Sequence, residues 1–423
     1  MHVVVCGAGI AGLTLALQLH RQGTDVTVVE AAPGPRTEGW MLDFFGPGHA
    51  AAARMGLLPR LQELSRPVEE LVWAGARGRP RARVPWARFA AALDGQLLSL
   101  LRPDLERALR EQVAGRVTVR HGRRVVGFAD GPGPLRVHLD DGTALEADLL
   151  VGADGLRSRV RTAAFGPVPL RLLGMHTAAF AVEDAALHAA LGRRLWLTDT
   201  LDRMLGLYAL EGARVAVFTV HRTPAPAPPA DARAQLRAVF AGLGGLVPAV
   251  LARCPPPERI YCDVVAQVEP PRWSTGRVVL AGDACHAVSL VAGQGASLAV
   301  AGAAELARQL GTAPDLPTAL AGYERTWRPV AAARQRAGRD GLEWFLPSRR
   351  TTLWARRAGL RLLAVPGAER LLLRGLLGGP DPPGGALPGG RRTGPDRGRG
   401  RGAEPALEAP VGRLPRGRGR HTA

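Results

Sequence analysis

The chain has 423 residues, 46% of them hydrophobic, and a formal net charge of +18 at pH 7; this length predicts two interleaved domains with a tail around a sizeable core. All basic residues other than histidine are Arg, and Asn is absent, a bias that fits GC-rich codon usage, so the charge does not by itself argue for a nucleic-acid or membrane partner. No uncharged run reaches the roughly 18 residues of a spanning helix, and Cys6, Cys254, Cys262 and Cys285 show neither C-x-x-C nor His-rich metal spacing, which leaves a metal-free, soluble cytoplasmic protein without a secretory signal as the expectation.

Chain order begins with VVVCGAGIAGLTLAL, residues 3–17. Val3 to Cys6 read as a strand buried on both faces, and Ile10 to Leu19 carry the apolar spacing of a packed helix. Between strand and helix runs Gly7-Ala8-Gly9-Ile10-Ala11-Gly12. The first glycine permits a tight turn, the second lets the backbone approach a pyrophosphate, and the third lets helix and strand pack closely. A diphosphate would then face the free N–H groups and positive dipole of the helix N-terminus. A second strand, Asp25 to Val29, ends in Glu30, where a carboxylate accepts hydrogen bonds from an adenosine ribose. A 2′-phosphate would meet a like charge there, so FAD or NAD is favoured over NADP.

The loop PGPRTEGWMLDFFGPG follows, and Arg36, Asp43, Phe44 and Phe45 in it can reach a ligand or plug a domain junction. Residues 50–64 read as a helix, VEELVWAG and RARVPW as short strands, and Arg102 to Gln112 as a helix whose first guanidinium can neutralise a diphosphate or stand free on the surface. GPGP and DDG then mark turns between alternating strands, the last of which runs into GADG. Asp154 there either binds the cofactor or ties its own loop by side-chain to backbone bonds. Residues 170–222 alternate again, TPAPAPPAD interrupts them, and a helix is expected at 231–242. The strand RVVLAG, 277–282, delivers Asp283 to a strand's carboxyl end, and GQGAS, 293–297, opens a long helix from Ala296 to Leu310 with a second set of N–H groups. A helix from Thr318 to Arg339 leads to LWARRAGLRLLAV, which fits either an ordinary packed helix or peripheral membrane attachment. Residues 378–423 hold nine Arg against four acids, and the stretch GGRRTGPDRGRGRG predicts a disordered tail, solvated or serving as an RNA- or lipid-binding arm.

GAGIAG with Glu30, GADGLRSRVR and AGDACHAVSLVAGQG, in this order and at these separations, resemble the glycine, DG and GD motifs of class A flavoprotein monooxygenases. That family has the para-hydroxybenzoate hydroxylase fold and includes tetracycline-modifying and polyketide hydroxylases; GWMLDFFGPGHAAAARMGLL is most similar to the tetracycline-hydroxylase-like branch. The resemblance covers about residues 1–350. It implies an α/β architecture: a Rossmann-like FAD-binding domain of glutathione-reductase type (1–66, 96–165, 262–345) interleaved with a substrate-binding sheet domain (67–95, 166–261), then a helical segment (346–377) and the tail. It also implies that Gly7, Ala8, Gly9, Ile10, Ala11 and Gly12 line the pyrophosphate, that Glu30 holds the adenosine ribose, and that Arg102, Gly282 and Asp283 serve the phosphate and ribityl chain. Gly293, Gln294, Gly295 and Ala296 would lie against the flavin ring, Asp154 and Gly155 would serve FAD and NAD(P)H together, and Arg36 would contact nicotinamide or flavin. Many members have proline where Leu290 stands and asparagine where Ser297 stands, so the substrate side differs.

The implied reaction uses NAD(P)H and O2 to hydroxylate an aromatic or polyketide-like small molecule through a flavin C4a-hydroperoxide, in a monomer or homodimer with no nucleic-acid partner. An FAD-dependent dehydrogenase or reductase, or a Baeyer-Villiger oxygenase, would use the same motifs. No acid–base constellation stands out; His286, His221, His176 and Asp43 are the candidates for handling a substrate proton. A binder of nucleic acid or membrane surface, led by the Arg-rich tail, is the reading from a different class.

Overall fold

The computed structural model describes residues 1–363 except 36–38, 92, 94 and 291–292. The tail expected from residue 378 onward and Arg36 lie outside the described residues.

The apolar run at the start forms the strand His2–Cys6, whose Val3, Val4 and Val5 have no exposed surface. It can be buried on both faces because it lies in the middle of a six-stranded sheet, between Leu149–Gly152 and Asp25–Glu30. Thr118–His121 pairs outside Asp25–Glu30, and Val278–Leu280 outside Leu149–Gly152; all five of these strands run parallel, with Ser274–Thr275 antiparallel at the edge. The chain therefore builds outward from its first strand in one direction, then returns to build in the other. The reversal puts a crevice at the carboxyl ends of the first strand and Leu149–Gly152, the usual ligand position in an open α/β sheet.

Helix Ile10–Arg21 packs on this sheet and against Gly295–Thr312, which also meets Pro47–Arg54 and Leu316–Asp340. The single helix expected at 50–64 is two helices, Pro47–Arg54 and Leu58–Leu64. Gly56, at φ +67°, turns the chain between them, and Pro59 sits in the first turn of the second, where its missing N–H costs nothing. The hairpins marked by GPGP and DDG form a separate three-stranded sheet of Val125–Ala129, Leu135–Leu139 and Ala144–Ala147.

The alternating middle of the sequence becomes a seven-stranded sheet in the order Tyr261–Gln267, Arg171–Glu183, Arg214–Arg222, Arg203–Ala209, Arg194–Thr198, Glu70–Ala74, Pro80–Pro85. Tyr261–Gln267 belongs to this sheet, so the strand runs across the boundary expected at residue 262. Period-two alternation gives the sheet two apolar faces. Phe180, Leu205 and Val217 pack under the helices Ala232–Phe240 and Val247–Ala252. Tyr208 and Ala216 face the other way, toward Phe45, Trp86 and Leu101, while Met204 and Val220 on that side meet Leu346. The ribbon of Met41–Phe44 with Leu98–Leu101 lies on this inner side, and the Tyr208 hydroxyl accepts the Met41 N–H.

Candidate functional site

Four sequence motifs end four adjacent parallel strands: Gly7 follows His2–Cys6, Glu30 closes Asp25–Glu30, Asp154 follows Leu149–Gly152, and Gly282 and Asp283 follow Val278–Leu280. Separations of up to about 280 residues thus collapse onto one edge of one sheet.

The glycine loop has the shape its spacing predicts. Gly7 has φ +107°, and a Cβ there would lie 2.5 Å from the Ala153 carbonyl oxygen. A Cβ at Gly12 would lie 1.9 Å from the Gly7 carbonyl oxygen, so helix and strand approach as only glycine allows. Gly9 is different. It caps the helix in an extended conformation that any residue adopts, and a Cβ there would have only the Arg102 Nη2, 4.0 Å away, as a neighbour. The helix receives no side-chain cap, so its first-turn N–H groups face this open space together with a guanidinium. Arg102 begins helix Arg102–Val113, held by its N–H to the Trp40 carbonyl (3.0 Å) and by an ion pair with Glu106 (3.0 Å).

Glu30 is fixed by two backbone donors: Oε2 accepts the Ala8 N–H at 2.7 Å and Oε1 the Ala32 N–H at 2.8 Å. Its carboxylate therefore points back over the glycine loop. Asp154 does tie its own loop, Oδ2 accepting the N–H groups of Arg159 (2.7 Å) and Val160 (3.2 Å), but Oδ1 is buried without a partner. Gly155 follows at φ +82°. Gly282 has φ +61° and packs its α-carbon against Ala11, where a Cβ would come within 2.7 Å. Asp283 opens to solvent at the crevice but lies among dense protein, and that burial pushes its carboxyl above the usual range, with Arg102 opposing.

Gln294 caps helix Gly295–Thr312 without a side-chain hydrogen bond to it, and its Oε1 is buried and unpaired. Gly293, at φ +62°, faces open space, with no atom within 4 Å of where a Cβ would stand, and Ser289 on the same loop adopts φ +72° with a buried, unpaired hydroxyl. Ser297 accepts the Phe45 N–H at 3.3 Å, joining this loop to the end of the Met41–Phe44 ribbon. An open cradle at Gly9, a helix N-terminus without a cap, a facing guanidinium and orphaned polar atoms on Asp154, Gln294 and Ser289 fit a bound dinucleotide such as FAD.

Three of the four candidates for handling a substrate proton are not on this edge. His221 lies on the helix-covered face of the large sheet, its ring 6.4 Å from that of Phe240 and 5.7 Å from that of His176, and burial followed by the neighbouring His176 lowers its pKa to about 4. His176 itself bonds the Ala225 carbonyl (3.0 Å). His286 is near Asp283 in sequence, but its ring packs 5.4 Å from that of Trp273 in the core, and burial lowers its pKa to about 4. Asp43 differs. Met41, Asp43 and Phe45 share one side of a strand, toward the inner face of the large sheet. Burial pushes its pKa up to about 6, with Ser99 across the ribbon opposing, and its Oδ1 is buried without a partner.

Sequence reasoning missed Arg161, the third arginine of LRSRVR. It is buried, donating from Nη1 to the Ala284 carbonyl (2.9 Å) and from Nη2 to the Leu156 carbonyl (2.8 Å), so it ties the Asp154 loop to the Asp283 turn. A basic residue in a helix's first turn gives no hint of this. Two cavities, of about 420 and 360 Å³, lie away from the crevice.

A family model described as FAD binding domain matches residues 54–337, and one described as FAD dependent oxidoreductase matches residues 2–76. Aurachin C monooxygenase/isomerase of Stigmatella aurantiaca is 30% identical over 325 residues, covering 76% of this chain and 84% of that protein. The chain belongs to the class A FAD-dependent monooxygenases. HpxO of Klebsiella pneumoniae, solved with FAD and uric acid, superimposes on this monooxygenase with a TM-score of 0.71 at 25% identity, covering 89% of this chain and 96% of that one. Tetracycline destructase Tet(51) has a TM-score of 0.73 at 22% identity, covering 88% and 98%, a likeness of fold. The enzyme is an FAD-dependent oxidoreductase that takes NAD(P)H as co-substrate, and the α/β fold expected from the motifs is the one observed.

Proposed function

We propose that this monooxygenase hydroxylates an aromatic or polyketide-like small molecule held against the inner face of the seven-stranded sheet. The observation that carries the reading is the convergence of Gly7, Glu30, Asp154 and Asp283 at the carboxyl ends of four neighbouring parallel strands, beside an inner sheet face whose Trp73, Met204 and Phe218 form one apolar cluster with Leu290 of the loop after Asp283. FAD would lie with its diphosphate at Gly7 to Gly12 and Arg102, its adenosine ribose at Glu30, its ribityl chain at Gly282 and Asp283, and its ring toward Gly293 to Ala296, with Asp154 and Gly155 beside it. Bound there, the reduced cofactor supplies activation of O2 and an electrophilic oxygen atom.

The chain's own residues bind, orient and keep water out. Two helix N-termini and Arg102 offset negative charge on the cofactor. The apolar inner face positions a flat substrate and excludes solvent that would otherwise divert the oxidant. Asp43 is the proton-handling residue on this side, because a carboxyl with a pKa near 6 can accept a phenolic proton and return it within the physiological range. Cys6, Cys254 and Cys285 are buried free thiols and Cys262 is also unpaired, which suits a reducing cytoplasm.

The test is turnover of the FAD-loaded enzyme under 18O2 with NADPH or NADH and a panel of phenols and polycyclic ketones. One labelled hydroxyl oxygen per coenzyme consumed supports the proposal. Ring expansion of a ketone supports the Baeyer-Villiger alternative, and oxidation without label would replace the proposal with a dehydrogenase.

A further inference from the structure

Trp40 and Tyr261 come from segments far apart in the chain, one after Glu30 and one at the start of the strand Tyr261–Gln267. Their ring centroids lie 4.8 Å apart with the planes at 41°, an open V rather than a closed stack. Trp40 is held beside the crevice by its carbonyl, which accepts the Arg102 N–H, and by Gly39, whose α-carbon packs so closely on Pro103 that a Cβ would lie 2.7 Å from its Cδ. Tyr261 is 42% exposed, one of few large apolar side chains left open among the described residues. Its hydroxyl is close enough to Asp263, Arg102, Asp283 and Arg157 to feel their charges, and the protein packed around one side of the ring, with Asp263 next, pushes its pKa up to about 12. Asp263 in turn accepts both Arg157 Nη1 and Nη2, at 2.6 and 2.5 Å. The pair therefore stands at the solvent side of the crevice in a strongly polar setting, unlike the apolar inner face of the sheet.

The enzyme consumes a second dinucleotide, yet its sequence holds one glycine fingerprint, so the coenzyme is recognised without a Rossmann unit of its own. We propose that Trp40 and Tyr261 form the docking platform for the nicotinamide ring of NAD(P)H at the mouth of the FAD crevice. A dihydronicotinamide is flat, uncharged and amide-bearing. It can stack on either ring of the V as a base stacks on an exposed aromatic, with the Tyr261 hydroxyl free to bond its carboxamide. A lipophilic hydroxylation substrate would gain more by burial on the inner face. The proposal rests on the placement of FAD given above.

The experiment compares FAD-loaded wild type, Trp40→Ala, Tyr261→Ala and the conservative Trp40→Phe and Tyr261→Phe. Binding of redox-silent 1,4,5,6-tetrahydro-NADP and tetrahydro-NAD is measured by equilibrium dialysis, alongside anaerobic flavin reduction by NADPH, NADH and dithionite. Each alanine variant should weaken analogue binding and raise the half-saturating coenzyme concentration by about tenfold or more, as expected for one lost base-aromatic stack, with FAD content and dithionite reduction unchanged. The phenylalanine variants should recover most of the loss. Unchanged analogue affinity in both alanine variants would overturn the proposal, and so would loss of FAD, which would assign the pair to the flavin itself. Wild-type protein that retained no FAD would instead remove the placement on which the proposal rests.

Discussion

Gly9→Ala and Gly12→Ala each add one methyl, three residues apart in one glycine motif, and should fail in opposite ways. At Gly12 the new Cβ would sit 1.9 Å from a backbone oxygen that cannot rotate aside. Alanine gains about 1 kcal/mol in helix propensity, but overpacking costs about 1–3 kcal/mol or more, and a contact this close to rigid backbone places the change at or beyond the upper end. The net loss of about 2 kcal/mol should lower the apo-protein melting temperature by several degrees, at roughly 2–4 °C per kcal/mol for a domain of this order. At Gly9 the backbone is already extended and the Cβ meets nothing nearer than 4.0 Å, so the apo protein should lose only about 0.5 kcal/mol as a poorer helix cap. The methyl instead occupies the gap between helix N-terminus and Arg102 where the diphosphate is assigned. FAD at 100 times its Kd should stabilise wild type by about 2.7 kcal/mol, or roughly 5–10 °C, and that increment should vanish in Gly9→Ala. Thermal unfolding with and without FAD, with bound flavin measured by absorbance, separates the two effects. A full FAD-dependent shift in Gly9→Ala would refute the placement of the diphosphate.

Arg356→Met should cost about 3–5 kcal/mol, because Arg356 Nη2 bonds the fully buried Asp199 carboxylate at 2.7 Å and its loss leaves that charge to the part-exposed Arg357; urea unfolding midpoints measure it, and a change below about 1 kcal/mol would show that Arg357 suffices. His221 and His286 both titrate at about 4 in the folded chain against 6.5 when exposed, so the unfolded state binds more protons between those values. Their contribution is complete above pH 6.5 and is lost as pH falls toward 4, up to ~3 kcal/mol each; His221→Phe should flatten the melting temperature over that window, and an unchanged slope would place the ring in solvent. Asp43→Asn should remove an acidic limb near pH 6 from the kcat/KM profile while FAD content stays constant, whereas a retained limb would assign that proton to substrate or coenzyme.

The motifs were legible because each rests on local chemistry: a glycine where the chain must turn left-handed or pack backbone on backbone, and an acid where a parallel strand ends. GAGIAG, GADG and AGDA all fall at such junctions, and the structure places them on one edge. The period-two stretches and the GPGP and DDG turns were likewise readable. The face each residue occupies was not. His221 and Phe218 sit three apart on one strand, yet one packs under Phe240 and the other joins Trp73 and Leu290, and alternation alone does not say which face meets helices. His286 drew attention by standing three residues from Asp283, but one helical turn carries its ring into the core against Trp273. Residues three apart share a helix face but stand a turn apart along the axis, and here that rise takes the His286 ring from the strand end to Trp273, so nearness in sequence to Asp283 is weak evidence of a shared site.

The basic composition also divides once the structure is in hand. Arg102 faces the open space at Gly9, Arg161 locks two motif loops together, and Arg356 lies 4.7 Å over the Trp73 ring while bonding Asp199 and the Phe345 carbonyl. Each is positioned by its planar, multi-donor head, which an ammonium could not replace with the same set of bonds. Arg356 in particular connects helix Arg350–Leu363 to the proposed substrate side, because Trp73 belongs to the apolar cluster with Phe218 and Leu290. LWARRAGLRLLAV therefore carries a packed arginine behind the proposed substrate wall. An inward-facing Arg356 on an otherwise basic helix favours the reading of a core-packed element there, and it ties the shape of the proposed substrate face to a residue more than fifty positions beyond the last of the three sequence motifs.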